Sequence, residues 1–186
     1  MIEDRRKRKT TAIIEKIFIE LLGKKSMDKI SVTEICEKAD INRGTFYLHY
    51  TDINNLSESI QDKILNNAKN ILNCNVENQN NNSNFIVPLL DNLKENKSFL
   101  LALSINSNID NFVKKISKII REMIIKSNDN FNLKVDEKSL SYITSYFVGA
   151  TFGIISNWIK NECKDETQQV ADLIFNLTFN GMNCYK

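Results

Sequence analysis

Residues 31–50 read SVTEICEKADINRGTFYLHY. Two short helical patterns lie in this stretch, with a turn between them. Ser31 and Glu34 form an S-x-x-E capping box, which starts the first helix. Val32, Ile35 and Cys36 give it a core-facing side. Asp40 falls where the chain must turn, and aspartate tolerates the left-handed conformation better than most residues. Asn42 is a good N-cap for the second helix. That second helix carries polar, basic and aromatic residues and few apolar partners of its own. The layout is a helix-turn-helix whose second helix is presented to something outside the protein.

Upstream, Ile13, Ile14, Ile17, Phe18, Leu21 and Leu22 recur at helical spacing and predict a helix from about Thr10 to Leu22, stopped by Gly23. Before it stands a basic run, Arg5, Arg6, Lys7, Arg8 and Lys9. Alone, such a run reads as a solvated, frayed terminus. Beside a helix-turn-helix it reads as an arm for an acidic partner.

Downstream, Thr51 or Asp52 caps a fourth helix bearing Leu56, Ile60, Ile64, Leu65, Ile71 and Leu72. Asn73 to Asn84 is polar, dominated by asparagine, and reads as a loop. The remainder is helical in pattern. Pro88 suits the first turn of a helix with Leu89, Leu90 and Leu93. Ser98 is placed to cap a short helix with Leu101, Leu103 and Ile105. Phe112, Val113, Ile116, Ile119, Ile120, Met123 and Ile124 define a strongly periodic helix, and Lys114, Lys115, Lys118 and Arg121 form its solvated face. Asp136 or Ser139 opens a long helix ending near Glu162. The last runs from about Glu166 to Asn180. The chain is thus expected to be all-α: a helix-turn-helix domain over 1–51, then a helical domain over 52–186, with a connecting helix at 52–72 and the asparagine-rich loop at 73–84.

Composition narrows the function. The 186 residues carry a net charge of only +2, so the positive charge is local. One proline and five glycines are too few turn signals for a β-sheet protein. Cys36, Cys74, Cys163 and Cys184 lie far apart, without metal-ligand, redox-motif or disulfide-framework spacing. They read as reduced thiols in a cytoplasmic protein. Glu15, Lys16 and Glu20 break up the only apolar stretch near the start, so no secretory signal is expected. Ser139 to Ile159 is uncharged and long enough to span a bilayer, but its serines, threonines and asparagine favour burial in a bundle. No metal and no cofactor is implied. An enzyme is disfavoured because there is no activated nucleophile, phosphate loop or carboxylate pair beside the single histidine.

Binding to double-stranded DNA needs a rigid core, groups that grip phosphates, and side chains that reach base edges. Ile14, Ile17, Phe18, Leu21, Ile30, Val32, Ile35, Ala39, Ile41, Phe46 and Leu56 are the candidate core. Thr33, Tyr47, His49 and the arm of Arg5, Arg6, Lys7 and Arg8 are the candidate phosphate contacts. Asn42, Arg43, Gly44 and Thr45 are the candidates for the major groove. Arg43 suits guanine, Thr45 a thymine methyl, and Gly44 permits close backbone approach. Each has a plainer reading: His49 as a structural ring beside aromatics, Tyr47 and Tyr50 as core. Tyr50 is expected buried and Tyr47 exposed.

These residues in this order resemble the N-terminal domain of TetR-type (TetR/AcrR) transcriptional regulators, over Ile13 to Leu56. The match lies in KISVTEICEKADINRGTFYLHY and its spacing of isoleucine, alanine, glycine, threonine, aromatic and tyrosine. Tyr142 to Leu177 resembles the C-terminal domain of a low-GC Gram-positive subgroup, similar to the regulator of dihydroxyacetone kinase operons. Two positions depart from the family pattern: Ile53 stands where a phosphate-gripping lysine is usual, and Asp40 where glycine is usual.

The resemblance implies a homodimer through the last two helices, a palindromic DNA operator, and release of DNA when a small molecule enters the C-terminal domain. The apolar surplus of those two helices points to a second subunit independently. Gly149, Gly153, Trp158, Val170, Leu173, Ile174 and Leu177 are the expected interface. Phe85, Leu89, Phe99, Leu103, Phe112, Ile116, Tyr142 and Tyr146 are candidates for an effector pocket, or plain core. The expected function is a sequence-specific repressor released by an effector. The alternative is a regulator or coactivator controlled by a partner protein.

Overall fold

The structure, a computed structural model, describes residues 2–75, 83–105, 109–131 and 136–182. Within them the chain is helical: α1 (Ile2–Leu22), a 3-10 turn (Met27–Lys29), α2 (Val32–Ala39), α3 (Arg43–Tyr47), α4 (Ile53–Asn75), a second 3-10 turn (Ser83–Phe85), α5 (Val87–Glu95), α6 (Lys97–Ile105), α7 (Ile109–Phe131), α8 (Glu137–Lys160) and α9 (Thr167–Met182). No strand occurs among the described residues. No described helix is long and apolar enough to cross a membrane.

The chain forms two compact units and divides within α4. Residues 1–64 and 98–109 make the first, and residues 65–97 and 110–186 the second. In the first, α2 packs on α1 and α3 on α2. Ile14, Phe18, Ile35, Phe46 and Leu56 are fully buried, and Phe99 and Leu103 of α6 are buried too. Val32 and Ile41, expected in this core, are half-buried. In the second, α9 packs on α5, α8 and the second 3-10 turn. Ser83 donates to Asp172 there, and Gln168 Nε2 donates to Ser83 Oγ at 2.8 Å.

Several sequence expectations need correction. Helix α1 begins at Ile2 and not near Thr10, so the basic run is helical, and Thr10 Oγ1 donates to the Arg6 carbonyl one turn back at 3.1 Å. Arg, Lys, Glu and Asp extend a helix without glycine or proline to stop it, yet they carry no apolar period to announce it. Ile13, expected on the core side, is 46% exposed. Ser98 lies inside α6, which begins at Lys97, so it is not the residue before the helix. The connecting helix runs on through Asn73 to Asn75, and residues 76–82 of the asparagine-rich loop lie outside the described residues. So do Cys184 and the side chains of Cys74, Ile105, Met123 and Ile124.

The turn after α8 places Glu162 and Cys163 at φ 62° and 52°, both left-handed. Trp158 holds this turn: its Nε1 donates to the Asp165 carbonyl at 3.0 Å, and its ring is buried. At the other end, Asp136 caps α8 by accepting from Ser139 N–H at 2.6 Å, which holds its carboxyl below the usual range.

Candidate nucleic-acid interface

The site is assembled by caps and by one buried ring. Ser31 Oγ accepts from Glu34 N–H at 3.2 Å and starts α2. Glu34 does not complete a reciprocal box, because its carboxylate takes Lys25 as partner. Asp40 adopts φ 52°, ψ 48°, ending α2 in the left-handed region, and Ile41 N–H reaches back to the Cys36 carbonyl at 3.1 Å. Asn42 then caps α3: its Oδ1 accepts from the Thr45 N–H at 2.7 Å and from the Thr45 hydroxyl at 2.9 Å. A Cβ on Gly44 would meet this same Oδ1 at 3.3 Å. Glycine at that position therefore keeps the cap free as well as baring the backbone.

Helix α3 has only five residues. Such a helix has no independent stability, so its neighbours must hold it. Phe46 is fully buried and lies 5.6 Å from the Tyr47 ring and 5.8 Å from the Tyr50 ring, centroid to centroid. Just beyond the helix, Tyr50 is buried and its hydroxyl donates to Glu15 Oε1 at 2.7 Å. Lys63 donates to the same carboxylate oxygen. One oxygen of α1 thus ties the end of the helix-turn-helix to α4. His49 Nδ1 pairs with Thr11 Oγ1 of α1 at 3.1 Å. Burial, and secondarily the nearby Lys7 charge, lower the His49 pKa, which favours the neutral ring.

What remains outward is a compact surface. Asn42, Arg43 and Gly44 are exposed, and Thr45 is half-buried. Tyr47 is 55% exposed and Leu48 79%. The structure thus separates the two tyrosines as expected. Leu48 was missed: an isolated leucine among polar residues carries no pattern, and only the fold shows that it stays exposed among the described residues. Arg43 donates through Nη2 to Thr33 Oγ1, joining the first residue of α3 to the second of α2. Arg5, Arg6, Lys7 and Arg8 are exposed on the first turns of α1. Asp52 caps α4 by accepting from Asn55 N–H at 2.8 Å, while Asn55 Oδ1 accepts from Thr51 N–H at 3.2 Å. Ile53 is the first residue of that helix and half-buried.

The other two candidate sets are rearranged. Phe99 and Leu103 belong to the first unit, whereas Phe85, Leu89, Phe112 and Ile116 belong to the second. Tyr142 and Tyr146 are 67% and 58% exposed, so they are not core. Of the expected interface residues, Trp158, Val170 and Ile174 are buried within the second unit. Gly149, Gly153, Leu173 and Leu177 are exposed. Among the described residues, a Cβ on Gly149 or Gly153 would meet nothing within 4 Å. Among the described residues no group of three or more acids, cysteines or histidines is placed to hold a metal.

Comparison with known proteins completes the picture. A TetR family model, described as the transcriptional regulator C-terminal region, matches residues 80–180, more than half of the chain. An uncharacterized HTH-type transcriptional regulator of Bacillus subtilis (strain 168), YvdT, is 36% identical over 61 residues. That match spans 31% of this chain and 31% of YvdT. Among solved structures, the dihydroxyacetone kinase operon activator DhaS superposes with a TM-score of 0.67 at 22% identity, covering 95% of this chain and 98% of DhaS. A TetR transcriptional regulator from Streptococcus agalactiae 2603V gives 0.66 at 16%, covering 96% and 98%. The fatty acid degradation regulator FadR from Bacillus halodurans gives 0.68 at 14%, covering 93% and 96%. The last three likenesses establish a shared all-helical fold. With the outward helix-turn-helix surface and the family match together, the chain belongs to the TetR family of DNA-binding transcription regulators and is not an enzyme.

Proposed function

We propose that this regulator binds a palindromic operator as a homodimer in the cytoplasm, represses transcription there, and is released by a small-molecule effector. The observation that carries the reading is α3 itself: five residues, locked from behind by Phe46 and Tyr50, with Arg43, Gly44, Tyr47 and Leu48 turned outward. In a dimer, two such helices enter successive major grooves about 34–36 Å apart. Arg43 offers a fork to guanine, and the Thr45 methyl suits a thymine methyl. Tyr47, His49 and the basic first turns of α1 contact phosphates. The first turn of α4 carries no lysine, so Tyr47, His49 and α1 take the phosphate grip instead.

Support for the homodimer comes from α8 and α9. Tyr142, Tyr146, Gly149 and Gly153 lie along one stripe of α8, and Leu173 and Leu177 are a turn apart on α9. Large exposed apolar side chains at such spacing call for a partner, and a second copy supplies a self-complementary one. The effector is proposed to bind within the second unit, with Phe85, Leu89, Phe112 and Ile116 in its lining.

Footprinting on genomic fragments retained by the purified protein tests the reading. Two protected half-sites with two chains per duplex support it. A single protected half-site, or protection without a common sequence, sinks it. A reporter driven by the retained fragment fixes the sign: expression rising when the regulator is removed supports repression, and falling expression makes it an activator.

A further inference from the structure

We propose that Thr33 is a positioning residue for Arg43: its hydroxyl holds the guanidinium in place before DNA arrives, and so sets base preference from a different helix. The inference rests on the reading of Arg43 as the base-contacting residue.

Sequence alone made Thr33 a phosphate contact. The structure gives its hydroxyl a partner inside the chain, the Nη2 of Arg43, ten residues away and across the turn. The guanidinium is therefore folded toward α2. Consistently, the positive charge of Arg43 is felt at the Cys36 thiol of α2, where it opposes the larger effect of burial. Both ends of the contact sit on fixed points. Thr33 follows the Ser31 cap within the first turn of α2, and Arg43 follows the Asn42 cap at the start of α3.

The chemistry leaves Arg43 competent. A guanidinium has five N–H donors, and the threonine takes one. The remaining donors include the pair needed for a bidentate contact with guanine O6 and N7. Thr33 accepts in this contact, so its own hydroxyl proton stays free. What the contact removes is conformational freedom. A long exposed side chain otherwise loses several rotatable bonds on binding, and holding it beforehand favours the base that matches the held geometry.

The test uses the full-length protein and the duplex that it enriches from a random library, together with variants of that duplex changed at each base pair in turn. Thr33→Val keeps the branched shape and removes the hydroxyl; Thr33→Ser restores the hydroxyl. Thr33→Val is expected to relax preference by about five- to tenfold, and only at the base pair where Arg43→Ala relaxes it. Thr33→Ser is expected to retain preference, and Thr33→Val is expected to add nothing on the Arg43→Ala background. The urea midpoint of each variant reports folding independently. Uniform weakening on every duplex, additive with Arg43→Ala, would make Thr33 a phosphate contact alone and overturn the inference. Tighter binding by Thr33→Val would also overturn it, since the contact would then restrain Arg43 from DNA. If Arg43→Ala leaves the base profile unchanged, it is the assignment of Arg43 that has failed, and the inference goes with it.

Discussion

At the scale of single residues, this protein places its information in caps. Asn42 starts α3 with one oxygen that takes both the backbone and the side chain of Thr45. Replacing an N-cap asparagine by alanine typically costs about 1 kcal/mol. Asn42→Ala is therefore expected to lower stability in urea by about that amount. It should also lower DNA affinity, because a five-residue helix has little else to define its start. His49 gives a second prediction. In the free protein the ring's pKa lies below the usual value, through burial first and Lys7 second. The unfolded chain takes up the proton more readily, so stability from this group falls as pH drops below about 6.5. A phosphate beside the ring acts the other way and favours the charged form. Binding then takes up a proton, and DNA affinity should rise as pH falls from 7.5 toward 6. Fluorescence anisotropy across that range checks it; His49→Gln should flatten the dependence, and a flat wild-type profile would remove His49 from the phosphate contacts.

Elements show how a helix too short to stand alone is kept in place. Tyr50 pins the end of the helix-turn-helix to Glu15 of α1, which Lys63 of α4 also engages. Burial, and next the hydrogen bond to the Glu15 carboxylate, push the phenol well above its usual value of 10. The folded state thus holds the proton more tightly than the unfolded one. The stability this supplies is complete below pH 10 and is lost as pH rises beyond it. Tyr50→Phe should cost about 1 kcal/mol at pH 8 in urea melts. Between pH 8 and 10.5, the gap between wild type and variant should narrow; a constant gap would mean that the phenol titrates alike in the folded and unfolded chain.

The same elements show what could be read beforehand. Ser31, Asp40, Asn42 and Asp136 each take the capping or turn role that their chemistry suggests. These roles are local, so the sequence contains them. The first two turns of α1 escaped because the run from Arg5 to Lys9 contains no apolar residue to mark a period. Leu48 escaped because exposure is a property of the fold. Val170, Leu173, Ile174 and Leu177 all carry apolar side chains on α9. Only packing separates Val170 and Ile174, covered by their own chain, from Leu173 and Leu177, left 49% and 54% exposed.

For the whole molecule, the exposed stripes of α8 and α9 make assembly the main question. Gly149 offers an unusually clean probe, since a Cβ there meets nothing among the described residues within 4 Å. Gly149→Val should leave the single chain's fold intact by circular dichroism. In the proposed homodimer it obstructs close helix approach, so analytical ultracentrifugation should show dissociation at concentrations where wild type is dimeric. Dimers of unchanged strength would move the interface off this stripe. Dissociation should carry a second consequence, because one head contacts only one half-site: specific affinity falls even though α3 is untouched.

The central claim is that the outward face of α3 reads sequence. The most direct test is to equilibrate the full-length protein with a random-sequence duplex library at low and at moderate salt, and to sequence what is retained. The account predicts one enriched palindrome, with half-sites one helical turn apart, that persists at moderate salt and loses its preference at one base pair of each half-site with Arg43→Ala. Retention of unrelated sequences that vanishes as salt is raised would show phosphate contacts alone, and would contradict it.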